Sequence, residues 1–95
     1  MPEPLDDVAL AALATVLPAW RLEGGGLVRD VEAPTFLAAI EWVVIIAAAA
    51  EEMDHHPDID IRWRRLHLVL STHSAGGRVT ELDVALAERI DAIVD

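Results

Sequence analysis

The chain has 95 residues, 54% of them apolar, which is enough for one hydrophobic core and too little for two, so a single domain over residues 1–95 is expected. Seventeen acidic residues against seven Arg and no Lys leave a net charge of −10, which opposes sequence-independent binding to nucleic acid or to an anionic membrane surface. The absence of Cys excludes a disulfide scaffold, a thiolate zinc site, an iron–sulfur cluster and a Cys nucleophile. It also fits a reducing compartment, and the acidic, Pro-broken start has no targeting character, so a cytoplasmic location is expected.

Asp6 and Asp7 stand where N-cap carboxylates would, and Leu10, Leu13 and Leu17 follow at helical spacing up to Pro18, predicting a first helix. Trp20 and Leu22, then Leu27, Val28 and Val31, flank Gly24-Gly25-Gly26 and predict a hairpin. A second helix is expected from Thr35 to about Asp54, with Pro34 in its first turn and its end set by Pro57, which drives His56 out of the α region. Within it the stretch 36–50 carries a single charge, Glu41, and is shorter than the roughly 18–20 apolar residues that a membrane span needs. It reads as a helix of a soluble fold, and being apolar on nearly every face it is expected to pack partly against another subunit of a homo-oligomer.

From Asp60 to Thr72 the period becomes two, with Leu66, Leu68 and Leu70 on one side and His67, Val69 and Ser71 on the other. This predicts a short strand carrying Ile61 and Trp63, a turn at Arg64-Arg65, and a longer strand over 66–71. Gly76-Gly77 closes the strand region, Thr80-Glu81-Leu82-Asp83 resembles a capping box, and Leu82, Leu86, Ile90 and Ile93 stripe a last helix. The order αββαββα defines an α+β class: a two-layer sandwich in which a four-stranded antiparallel sheet has its helices on one face.

Of the four His, three gather near two loops. Glu51 precedes His55 by one helical turn, so if the helix persists that far the two share a face, and a last-turn position beside Glu51 and Asp54 favours the imidazolium form that a general acid requires. His56 precedes Pro57 and must be extended, which aims it away from His55. His73 ends the second hairpin, and Asp83 opens the last helix close enough in sequence to orient an imidazole. Spacing alone leaves a second meaning open, since a His-His pair at a helix end can serve only as a C-cap or a solvated surface. Adjacent His residues diverge, and neither HExxH nor Cys is present, so no metal is expected. His67 is read as structural, Trp20, Trp42 and Trp63 as core or interface anchors, and the triple Gly as a turn rather than a phosphate cradle.

The segment 51–83, EEMDHHPDIDIRWRRLHLVLSTHSAGGRVTELD, resembles the pterin-4a-carbinolamine dehydratases, also called 4a-hydroxytetrahydrobiopterin dehydratases. That family's pattern is an acidic residue, three residues, His-His-Pro, an aromatic six positions past the Pro, a Leu-Ser-Thr-His strand end and an Asp opening the final helix. Glu51, His55-His56-Pro57, Trp63, Leu70-Ser71-Thr72-His73 and Asp83 fill these places in order. More weakly, Trp20 matches the family's first-strand Trp and Phe36 the start of its long helix. The chain departs from the pattern at Ile61 and Trp63, where members usually carry Asn and Tyr, at Arg64-Arg65, and at the longer Gly76-Gly77 loop. These changes bear on pterin affinity more than on chemistry.

The resemblance implies loss of water from a 4a-hydroxytetrahydropterin, giving a quinonoid dihydropterin after an aromatic amino-acid hydroxylase has turned over. The reaction needs an acid for the leaving hydroxyl and a base for the N5 proton, and imidazoles suit both. It implies His55 and His73 as the acid–base pair without assigning which is which, His56 as a pterin-holding and assisting group, and Glu51 and Asp83 as groups that orient the imidazoles. His55, His56, Pro57, Thr72, His73, Ser74 and Ala75 are implied to line the pterin, which is the substrate, so no cofactor is expected. A homodimer or homotetramer follows from the same resemblance. Two other functions stay open: a pterin-binding or protein-binding module without turnover, such as a dimerisation partner of transcriptional regulators, and a pterin dehydratase of molybdopterin metabolism.

Overall fold

In a computed structural model that describes residues 2–95, Asp6 caps α1 (Asp7–Val16) by accepting the Ala9 N–H. The chain then enters a hairpin of β1 (Arg21–Glu23) and β2 (Gly26–Glu32), with Trp20 buried just before β1 rather than within it. Gly24 and Gly25 both have positive φ, as a tight two-residue hairpin connection demands. Gly26 answers a different need, since a Cβ there would sit 3.1 Å from the Leu70 carbonyl oxygen and 3.2 Å from a Val69 methyl carbon.

α2 (Phe36–Met53) begins at Thr35, whose hydroxyl accepts the Ala38 N–H, so Pro34 lies outside the helix and not in its first turn. The helix ends earlier than Pro57 requires. Asp54 adopts a left-handed conformation (φ 49°), a C-terminal cap that Asp tolerates better than most residues, and Pro57 acts only on chain that has already left the helix. Among the described residues no helix is long and apolar enough to cross a membrane.

β3 (Asp58–Arg62) and β4 (Arg65–Leu70) pair with Arg62 opposite Arg65, so the turn is Trp63-Arg64, one residue earlier than the sequence suggests. Trp63 is therefore not a strand or core residue; it occupies the turn at φ 56°, 66% exposed, with the Arg64 guanidinium stacked 4.7 Å from its ring centre. After β4 a single 3-10 turn, His73–Ala75, leads through Gly76-Gly77 to α3 (Glu81–Val94). Both halves of the Thr80–Asp83 capping box are formed.

The sheet order is β1-β2-β4-β3, antiparallel throughout. Register places Leu27 opposite Leu70, Val31 and Ile61 opposite Leu66, and Ile59 opposite Leu68, so these side chains share the face that the helices cover. They meet Leu13, Leu17, Ile46, Leu86 and Ile90 in one core, where each fully buried Leu or Ile contributes about 1.5–3 kcal/mol. The opposite face carries cross-strand rows of charge, Asp30–His67–Asp60 and Glu32–Arg65–Arg62, and faces solvent. Arg29 is the one charge on the helix side of β2. It forms ion pairs with Asp91 and Asp95 at the end of α3, and the Trp20 indole donates to Asp91 at 2.8 Å.

Candidate active site

The C-terminus of α2 decides where the adjacent imidazoles go. With Asp54 left-handed, the His55 amide donates to the Ala50 carbonyl at 3.0 Å, a helix-closing bond that folds the chain back over the last turn. His55 is thereby turned inward, to 8% exposure, and its Nε2 lies 2.6 Å from Asp83 Oδ1. Asp83 is fully buried in the first turn of α3, which packs beside α2. His56 turns outward, and its Nε2 meets Glu51 Oε2 at 2.9 Å between exposed side chains.

The structure corrects the one pairing read from spacing and shows which imidazole Asp83 serves. Glu51 does not pair with His55, because the helix has ended at Met53 and His55 is out of helical phase with it. The imidazole that Asp83 meets is His55. His73 sits exposed at the start of the 3-10 turn, with no side-chain partner among the described residues.

The second segment is folded by its own backbone. The Thr72 carbonyl accepts from Ala75 and Gly77, the Thr72 amide donates to Arg78, and positive φ at Gly76 and Gly77 makes the return possible. Thr72 is buried by this turn, with its Oγ 2.8 Å from Asp83 Oδ2 and 2.7 Å from Thr80 Oγ. The Thr80 amide also donates to Asp83 Oδ2, at 2.8 Å.

His55, His56, His73, Thr72 and Ser74 line one cavity of about 310 Å³, together with Asp54, Ser71 and Leu82. Asp83 stands behind His55 and Glu51 beside His56, while Pro57 and Ala75 are not part of the lining. Sequence reasoning missed Pro2, which also lines the cavity, and Ser71 and Leu82, none of which carries a chemical signature of its own, and missed the reach of the Thr80 hydroxyl, which reads in sequence only as a helix cap. Among the described residues no group of three or more His, Cys, Asp or Glu side chains is arranged to hold a metal ion.

Two larger concavities lie elsewhere. One of about 570 Å³ is on the open sheet face, where His67 bonds Asp30 across the strands. That bond, and then Arg21, hold the Asp30 carboxyl below the usual carboxylate range. The other, of about 630 Å³, runs between α1 and α3, is largely aliphatic, and contains no His. Only the smallest of the three gathers several imidazoles.

The topology and this cavity define a class of small α+β proteins with a histidine-lined pocket at one end of the helix layer. A family model described as pterin 4 alpha carbinolamine dehydratase matches residues 3–93. The chain is 57% identical over 86 residues to a protein of Mycobacteroides abscessus provisionally named a pterin-4-alpha-carbinolamine dehydratase, covering 90% of this chain and 89% of that protein. A Mycolicibacterium smegmatis protein with the same provisional name is 54% identical over 78 residues, 82% of each chain. Among solved structures, a transcriptional coactivator/pterin dehydratase from Brucella melitensis superposes with a TM-score of 0.91 at 28% identity, covering 97% of this chain and 99% of that one. The chain belongs to the pterin-4a-carbinolamine dehydratase family.

Proposed function

We propose that the protein removes water from a 4a-hydroxytetrahydropterin to give the quinonoid dihydropterin, with the pterin as substrate and without a cofactor. The observation that carries this reading is the meeting of His55 and His73 at one cavity, the first buried on a carboxylate and the second exposed and free. In the elimination the C4a–O bond breaks as the hydroxyl takes a proton and leaves as water, and N5 gives up its proton while its electrons form the C4a=N5 bond. One imidazole donates and the other accepts, so the two protons balance. His56, held by Glu51, lies where it can hold the pterin and assist, and Asp83 orients His55. The backbone of His73 and Ser74 and the outward-turned His56 supply hydrogen-bonding edges to the ring. A volume of about 310 Å³ lies at the small end of the roughly 300–1,000 Å³ common for ligand pockets, as a bicyclic substrate requires. The setting is cytoplasmic, downstream of an aromatic amino-acid hydroxylase, in a homo-oligomer assembled through the exposed side of α2.

The test is the decay of freshly generated 4a-hydroxytetrahydropterin followed by ultraviolet absorbance, with wild type, His55→Ala and His73→Ala compared at one enzyme concentration. Acceleration by wild type that falls roughly a hundredfold or more in either variant is the expected result. A folded wild type that gives no acceleration overturns the reading. It also favours a second one, a binding module without turnover, which has its own support in the apolar surface that α2 leaves open at Leu37, Val44 and Ile45 and in the coactivator description of the Brucella protein.

A further inference from the structure

Behind His55 lies a polar cluster shut off from water: Thr72 is 3% exposed, and Thr80 and Asp83 are 0% exposed. Buried polar groups persist only when their bonds are made within the protein, so the direction of each bond follows from the protons available. A carboxylate only accepts, so the Thr72 hydroxyl, 2.8 Å from Asp83 Oδ2, donates to it. That commits the single Thr72 proton. The Thr80 hydroxyl, 2.7 Å away, must therefore donate to Thr72 Oγ, while its own oxygen accepts the Leu82 amide at 3.2 Å. Every bond in the row points toward Asp83, which also receives the Thr80 amide. The remaining carboxylate oxygen, Oδ1, faces His55 Nε2 at 2.6 Å, so Nε2 carries a proton.

The other ring nitrogen of His55 has no hydrogen-bond partner among the described residues, and it is not a sealed, unsatisfied atom either. Arg64 Nε is the one buried side-chain nitrogen or oxygen among them that lacks a partner, so His55 Nδ1 opens onto the cavity. We infer that Thr72 and Thr80 are positioning residues: their hydroxyl row fixes the Asp83 carboxylate, which holds His55 as the Nε2–H tautomer and presents Nδ1 to the substrate. This rests on the dehydratase reading of the cavity. It also moves the Thr72 side chain from pterin contact to support, since its hydroxyl faces Asp83 and not the opening.

Long-range proton–nitrogen NMR of nitrogen-15-labelled protein, recorded where His55 is neutral, reads the tautomer without substrate. Wild type is expected to show His55 protonated on Nε2 alone, and an Nδ1–H form or a mixture overturns the inference. Thr72→Val keeps shape and removes the hydroxyl. It is expected to give a mixed His55 signal and to lower kcat by roughly tenfold to a hundredfold at unchanged KM, with Thr72→Ser restoring both. A raised KM at unchanged kcat makes Thr72 a substrate contact and sinks the proposal. Thr80→Val should act in the same direction more weakly, and the wild-type tautomer decides alone if Thr72→Val does not fold. A single Nε2–H tautomer that Thr72→Val scrambles, in a protein with no dehydratase activity, upholds the positioning role and rejects the proposed reaction.

Discussion

His55 and His56 adjoin in the chain and differ in almost everything that sets an imidazole's behaviour. The pair His56–Glu51 is exposed, open to screening by salt, and contributes about 0–1 kcal/mol. The pair His55–Asp83 is buried, and the carboxylate receives two further donors. Asp83→Asn puts an amide NH₂ against one of those donors, and urea unfolding should show a loss of about 2–4 kcal/mol, while Glu51→Gln should stay within about 1 kcal/mol. Equal losses in the two variants would contradict the burial argument. Arg29 is the other residue whose surroundings magnify a single change. Arg29→Met leaves Asp91 with only the Trp20 indole as donor and should cost about 1–3 kcal/mol. Asp95→Asn should cost less, because the Asp95 side chain is 60% exposed, and the two midpoints measured side by side check the order.

At the scale of elements, the first hairpin separates two roles of glycine. Gly24→Ala meets no neighbour and loses about 1 kcal/mol from its positive φ alone, whereas Gly26→Ala pushes a methyl against the β4 backbone and should lose about 1–3 kcal/mol, both readable as melting shifts. These turns, the Asp6 cap and the Thr80–Asp83 box were legible in sequence because each is a local signal written within a few residues. The end of α2 near Asp54 was legible too, but its cause was not, since the left-handed cap is Asp54 rather than Gly and Pro57 takes no part in it. The Trp63-Arg64 turn holds neither Gly nor Asn, and its position follows from the pairing of Ile61 with Leu66 over the core, a tertiary fact. The same limit applies to the site. The motif supplies the imidazoles and the carboxylates in order, but which carboxylate serves which imidazole depends on the cap of α2 and on α3 lying beside it.

For the molecule as a whole, charge and surface lead to two further expectations. Asp30, bonded to His67, and Asp95, bonded to Arg29, are held below the carboxylate value of 3.8. A lowered folded-state value means stability that is fully present above the unfolded value and is lost as pH falls through the folded one. Melting temperature should therefore be insensitive to these two groups from neutral pH down to about 5 and drop below about 4, with a smaller drop in Asp95→Asn. A melting profile flat to pH 3 would refute this. The exposed Leu37, Val44 and Ile45 on one helix call for a partner surface. Light scattering at micromolar concentration should give a multiple of the 10.3 kDa chain for wild type and a smaller mass for Val44→Glu with Ile45→Glu, and a monomeric wild type would defeat the argument.

α3 is held at both ends, by Asp83 against His55 and Thr72 and by Asp91 and Asp95 against Arg29 of β2. Helix ends ordinarily fray, and their amides exchange with solvent through small local openings. Here the last turn cannot loosen without breaking the ion pairs that tie it to Arg29 of β2. Deuterium should thus enter both ends of α3 at nearly the rate of its middle, and Arg29→Met should speed uptake in the last turn first, which makes the helix a strut whose slackening is visible residue by residue.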